Sequence, residues 1–240
     1  MRALLLSNST QHGHEFLAHA DSWFADCFRD LAKGTEVVFV PYALKDHDAY
    51  AQKAAIAFER MGYGCRSLHR ESDPAATARA AKAFYVGGGN TFRLLKTMQG
   101  LGLIDAVRDA VAGGACYTGA SAGTNVATPT IRTTNDMPIV EPQSFESLGF
   151  VSFQINPHYL DPDPGSTHMG ETREQRLAEF HEENTTPVLG LREGCALQID
   201  GEGSAAIQLL GQKSARVFVP GEASEWEPGS ACPGVLSTAR

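Results

Sequence analysis

The chain has 240 residues, enough for one substantial domain with a fully buried core. With 42% apolar and 20% charged residues it has an ordinary globular balance, which excludes a disordered or fibrous chain. A formal net charge of −8 argues against a nucleic-acid binder, and no apolar run approaches the length needed to span a bilayer.

The first two-thirds alternate short apolar runs with amphipathic stretches. Residues 3–6 read as a buried strand, the run being too short for a signal peptide. Phe16, Ala20, Trp23, Phe24, Cys27, Phe28 and Leu31 recur at helical spacing and predict a helix within 14–33. A strand at 37–40 ends on Pro41, a helix at 46–61 closes on Gly62, and 65–68 reads as a further strand. Asp73-Pro74 is a helix start, an N-cap followed by proline at the first helical position. Next come a strand at 83–86, helices at 91–98 and 103–112, and a strand at 115–118. Such alternation predicts an α/β fold, a mainly parallel sheet flanked by helices.

After about residue 145 the rhythm changes. A strand is predicted at 150–155 and a helix at 172–183. Closely spaced strands at 188–191, 196–199, 205–210 and 215–219 suggest an antiparallel addition to the sheet. Residues 1–219 therefore read as one domain, and 220–240, rich in Gly, Pro, Ser and Glu, read as a flexible tail. The cysteines at 27, 65, 116, 195 and 232 are odd in number and widely spaced, without a C-x-x-C pair. That pattern fits a reducing cytoplasm better than a disulfide framework or a zinc ribbon.

The sharpest chemical signal is Gly119-Ala120-Ser121-Ala122-Gly123, a G-x-S-x-G pattern between a strand and a helix start. Such a turn brings backbone segments too close for side chains and holds its serine in an unusual conformation. Ser121 is the candidate nucleophile, and the Ala122 N–H could face a developing oxyanion. A second cluster, Gly87-Gly88-Gly89-Asn90-Thr91, follows the preceding strand. It is either a tight turn capping a helix or the second half of an oxyanion hole, through Gly88 and Gly89. It lacks either phosphate-binding pattern, G-x-x-x-x-G-K-[ST] or G-x-G-x-x-G.

A base must accompany the serine. Among the histidines, His158 follows a strand through Asn156-Pro157 and would reach the carboxyl rim of the sheet beside Ser121. His12-Gly13-His14 has no supporting ligand cluster, so no metal site is expected. Two acids could orient the imidazole: Asp136, between Ser121 and His158 in the chain, and Glu193, just after the strand at 188–191. The residues alone leave both open. Arg132, Arg173 and Arg176 could grip a carboxylate, or could belong to surface ion pairs with Glu174 and Glu179.

Five stretches in order resemble the peptidase E family, serine-type α-aspartyl dipeptidases related to cyanophycinase. They are 86–92 around the glycine cluster, the Ser121 elbow, 129–140, 154–158 and 170–176. The resemblance runs from residue 4 to roughly residue 219. It implies a sheet similar to that of class I glutamine amidotransferases and a cofactor-independent enzyme acting on small acidic dipeptides with an N-terminal aspartate. It carries the nucleophile to Ser121 and the base to His158, and favours Glu193 on the imidazole with Asp136 shaping the site. Arg173 would hold the substrate's aspartate side chain, with Asn90 and Arg132 near the substrate. Hydrolysis of β-aspartyl units and acidic-peptide binding without catalysis are the rival functions. Ala120 departs from relatives that carry tryptophan before the serine.

Overall fold

The computed structural model describes residues 1–163, 165, 167 and 169–238. In chain order the elements are β1 (Arg2–Leu6), α1 (Asp21–Cys27), β2 (Glu36–Val40), α2 (His47–Arg60), β3 (Gly64–Ser67) and α3 (Pro74–Arg79). They continue with β4 (Ala83–Val86), α4 (Thr91–Gly100), α5 (Leu103–Ala112), β5 (Cys116–Ala120) and α6 (Ala122–Asn125). The remainder is β6 (Gln154–Tyr159), α7 (Arg173–Glu183), β7 (Val188–Arg192), β8 (Ala196–Asp200), β9 (Ile207–Leu210), β10 (Ala215–Val219) and β11 (Glu222–Trp226).

Seven strands form one sheet in the order β3-β2-β4-β5-β1-β8-β9. The first five run parallel, and β8 and β9 add antiparallel at the β1 edge. Both faces are covered because side chains alternate along each strand. Ala3 and Leu5 of β1 pack with Leu94, Met98 and Val107 of α4 and α5, whereas Leu4 and Leu6 pack with Phe24 and Phe58 of α1 and α2. Since β1, β2, β4 and β5 are parallel, the loops that leave them share one rim, where open α/β sheets bind ligands.

The antiparallel extension expected from sequence is present in β8 and β9, whereas the strands expected at 188–191 and 215–219 leave the main sheet. A separate four-stranded sheet has the order β11-β10-β7-β6, with β6 and β7 parallel and the other pairs antiparallel. The strand expected at 150–155 lies instead at 154–159, so His158 is within β6 and not beyond it. Phe150, Val151 and Phe153 are apolar because they are buried in the main core. The helix expected within 14–33 is also shorter: Leu17 has φ 61° and breaks the stretch before α1.

The tail from 220 is a correction as well. β11 pairs with β10 from Ala215↔Trp226 to Val219↔Glu222, Trp226 is 2% exposed, and Leu236 is fully buried. Thr238 bridges to Val151. Two well-placed apolar anchors thus outweigh a solvated composition. Residues 239 and 240 lie outside the described residues. Trp226→Ala is expected to cost roughly 3–5 kcal/mol of stability, the usual range for truncating a buried aromatic. Urea unfolding reads this as a lower midpoint, and an unchanged midpoint would mean the tail does not contribute to the fold.

Candidate active site

β5 delivers Ser121 to the rim, and the turn after it is held by close backbone contact. A Cβ on Gly123 would stand 2.0 Å from the Val86 carbonyl oxygen, and one on Gly119 2.5 Å from that of Gly123, so neither position tolerates a side chain. Ser121 itself has φ 53° and ψ −107°, a strained conformation for a residue with a Cβ. Its N–H donates to Leu6 O across the sheet at 3.1 Å, which leaves the side chain projecting from the rim. The next residue, Ala122, opens α6, so its N–H has no intrahelical acceptor.

His158 arrives from the other sheet. The β6–β7 register shifts between Pro157 and Tyr159, and His158 has φ 52°, so the residue bulges out of the strand. Its Nε2 lies 3.0 Å from Ser121 Oγ, and its Nδ1 lies 2.6 Å from Glu193 Oε1. Glu193 directly follows β7, the parallel neighbour of β6, which is why the acid and the histidine emerge side by side. With Nδ1–H donating to the carboxylate, Nε2 is left to accept the Ser121 hydroxyl proton.

Of the two acids considered, only Glu193 touches the imidazole. Asp136 is committed elsewhere: its Oδ2 accepts from Thr91 N at 2.7 Å, Thr91 Oγ1 at 2.6 Å and Thr134 Oγ1 at 3.2 Å. It ties its loop to the start of α4 and presents a carboxylate to the cleft wall. That cleft holds about 750 Å³ and is lined among others by Ser121, His158, Gly88, Gly89, Asp136 and Lys53. Gly88 abuts Ser121 so closely that a Cβ there would be 3.1 Å from Ser121 Cβ.

The chain matches the model of peptidase family S51 over residues 3–207. The chain belongs to this family. Peptidase E of Streptomyces coelicolor is 55% identical over 93% of this chain and 89% of the relative. A Drosophila melanogaster protein named as a probable alpha-aspartyl dipeptidase is 49% identical over 90% and 88%. A peptidase from an acI-B1 Actinobacterium has a similar fold, with a TM-score of 0.66 at 18% identity, covering 94% of this chain and 96% of that one.

The other expected site residues of this S51 peptidase divide. Arg173 opens α7, a position unfavourable for a cation, and no carboxylate lies within 4 Å of it among the described residues. Partial burial and Arg176 lower its pKa, while the Asp136 carboxylate acts in the opposite direction. Asn90 is used structurally. Its Oδ1 caps α4 by accepting from Arg93 N at 3.0 Å, and its Nδ2 donates to Met137 O at 2.9 Å, so it shapes the Asp136 loop and has little left for substrate. Arg132 is a correction: its guanidinium lies 4.9 Å from the Phe145 ring centre and lines a separate depression with Arg176 and Phe180.

Ser7 was missed by sequence reasoning. Its buried hydroxyl accepts from His158 N at 2.9 Å and donates to Leu191 O at 2.8 Å, which pins the bulge to the end of β1. Nearby, Asn8 Oδ1 accepts from Gly194 N at 2.8 Å and fixes the turn that carries Glu193. Their position directly after a parallel strand was the available signal. Ser7→Ala leaves the His158 N–H and Leu191 O without this partner, at a cost of about 1–3 kcal/mol. A kcat lowered roughly tenfold or more with KM little changed is the expected kinetic result, since imidazole placement matters only to the chemical step. Unchanged kcat would remove Ser7 from the site.

Proposed function

We propose that the chain is an α-aspartyl dipeptidase that cleaves Asp-X dipeptides through an acyl-enzyme on Ser121. The observation that carries the reading is the unbroken line from Ser121 Oγ to His158 Nε2 and from His158 Nδ1 to Glu193, at 3.0 and 2.6 Å. The name of the Drosophila relative supplies the substrate class.

In this reading His158 takes the Ser121 proton as the hydroxyl oxygen attacks the carbonyl carbon of the N-terminal aspartate. Glu193 stabilises the imidazolium that forms. The oxyanion faces the Ala122 N–H and the backbone of Gly88 and Gly89. His158 then gives its proton to the leaving amine, the C–N bond breaks, and water enters by the same base to release aspartate. The substrate's side-chain carboxylate suits Arg173, a cation without an ion pair among the described residues. Its α-ammonium suits Asp136, whose charge stands on the cleft wall. Such a route requires no cofactor.

The enzyme's setting is a reducing cytoplasm in this proposal, which suits five cysteines that are all unpaired. No helix among the described residues is long and apolar enough to cross a membrane.

Purified protein is expected to hydrolyse Asp-Leu far faster than β-Asp-Leu or Ala-Leu, with a metal chelator present throughout. Ser121→Ala and His158→Ala should lower kcat roughly 10⁴-fold, and Glu193→Gln should fall much further than Asp136→Asn. Arg173→Ala should erase the preference for Asp-Leu over Ala-Leu. Cleavage of β-Asp-Leu in place of Asp-Leu would move the enzyme to β-aspartyl substrates, and activity surviving Ser121→Ala would refute the nucleophile.

A further inference from the structure

Behind the reactive line lies a network of charged groups that the chemistry above does not use. Arg192, the last residue of β7, has a side chain only 12% exposed. Its guanidinium meets two carboxylates in forked geometry: Asp161 at 2.8 Å (Nε) and 2.5 Å (Nη2), and Glu225 at 2.9 Å (Nη1) and 3.1 Å (Nη2). Nη1 also donates to Ser214 O at 2.7 Å, and Ser214 Oγ donates to Glu225 at 2.6 Å. Glu225 accepts a further bond from Arg216 Nη1 at 3.1 Å. Arg216 Nε in turn lies 3.1 Å from Glu174 Oε1, which also accepts from Tyr159 Oη at 3.1 Å.

The network converges on the two ends of the connection between β6 and α7. Asp161 stands two residues past the end of β6, and Glu174 stands immediately after Arg173 at the start of α7. Glu225 is the hub that joins them, since it holds both Arg192 and Arg216. Arg192, and next Ser214 and Arg216, hold the Glu225 carboxyl at about 2 against the opposing effect of burial. The hub therefore stays charged at any pH where the enzyme would work.

We propose that Glu225, on the C-terminal strand β11, is a positioning residue for substrate capture. Through Arg216 and Glu174 it sets the place of Arg173 at the cleft, although it touches neither substrate nor reacting atoms. The proposal rests on the assignment of Arg173 to the substrate carboxylate. Loss of the Glu225 carboxylate releases Arg216 from its β11 partner, so Glu174 loses a fixed neighbour and Arg173 is less well held. Arg192 keeps Asp161 and the Ser214 carbonyl, so Glu193 and the bulge at His158 are retained. The expected defect is therefore in binding and not in the chemical step.

The test compares steady-state kinetics on Asp-Leu and Ala-Leu for wild type, Glu225→Gln, Arg216→Gln and the control Glu222→Gln, which changes an exposed residue on the same strand. Thermal unfolding is measured alongside. Glu225→Gln is expected to raise KM for Asp-Leu about tenfold with kcat within about threefold of wild type, and to narrow the preference over Ala-Leu. Arg216→Gln should share this signature and Glu222→Gln should not. In an Arg173→Ala background the Glu225→Gln penalty should vanish, because residues acting through one another are not additive. An unchanged KM, a fall in kcat alone, or a full penalty in that background would overturn the proposal. Should Glu225→Gln fail to fold, Arg216→Gln decides by the same criteria. Wild-type protein that leaves Asp-Leu intact would instead defeat the substrate assignment on which the proposal stands.

Discussion

The hydrogen bond between Ser121 and His158 joins two separate sheets, and its length is set by how those sheets are docked. Ser121 belongs to the seven-stranded sheet, whereas His158 and Glu193 come from the parallel pair β6 and β7 of the other. Proton transfer tolerates little error in such a distance. The rim therefore needs fasteners that cross between sheets, and Ser7 and Asn8 supply two at the end of β1. The strain held at Ser121 and His158, two of the three non-glycine residues with positive φ among the described residues, is sustained by this surrounding network. Each such conformation costs on the order of 1–3 kcal/mol, affordable only beside a large buried core.

Division of labour follows from this arrangement. The parallel strands and their two apolar faces make a rigid platform, and the loops at its carboxyl rim carry Ser121 and the Gly88–Gly89 segment. The smaller sheet carries His158 and, directly after β7, Glu193. Asp136 stands at the boundary of the cleft, bound to the first turn of α4 by Thr91 and held within its own loop by Thr134. A loop carboxylate with that many donors is fixed in place.

Much of the first half was legible because its strands are continuous apolar runs and its helices begin on caps that can be read. Asp73 and Asn90 each accept from the backbone three residues on, as their positions suggest. The Ser121 elbow was legible because only glycine fits at 119 and 123. β6 was not, since Asn156-Pro157-His158 has poor strand propensity and is held by contacts distant in sequence, such as Asn156 Nδ2 to Thr133 O. The choice between Asp136 and Glu193 needed geometry, because chain order says nothing about which acid reaches the imidazole. Arg132 failed for a similar reason: an arginine near a motif reads the same whether it faces the cleft or stacks on Phe145. The tail misled because composition averages over Trp226 and Leu236, the two residues that dock it.

The central claim is a covalent aspartyl-enzyme on Ser121, and partitioning tests it most directly. Wild-type protein would be given Asp-Leu or Asp-Phe with a fixed concentration of hydroxylamine, and the ratio of aspartyl hydroxamate to free aspartate measured. A shared acyl-enzyme predicts the same ratio for both dipeptides, because the leaving residue has departed before the nucleophile chooses. No hydroxamate, or a ratio that depends on the leaving residue, would contradict the account and point to direct attack by water.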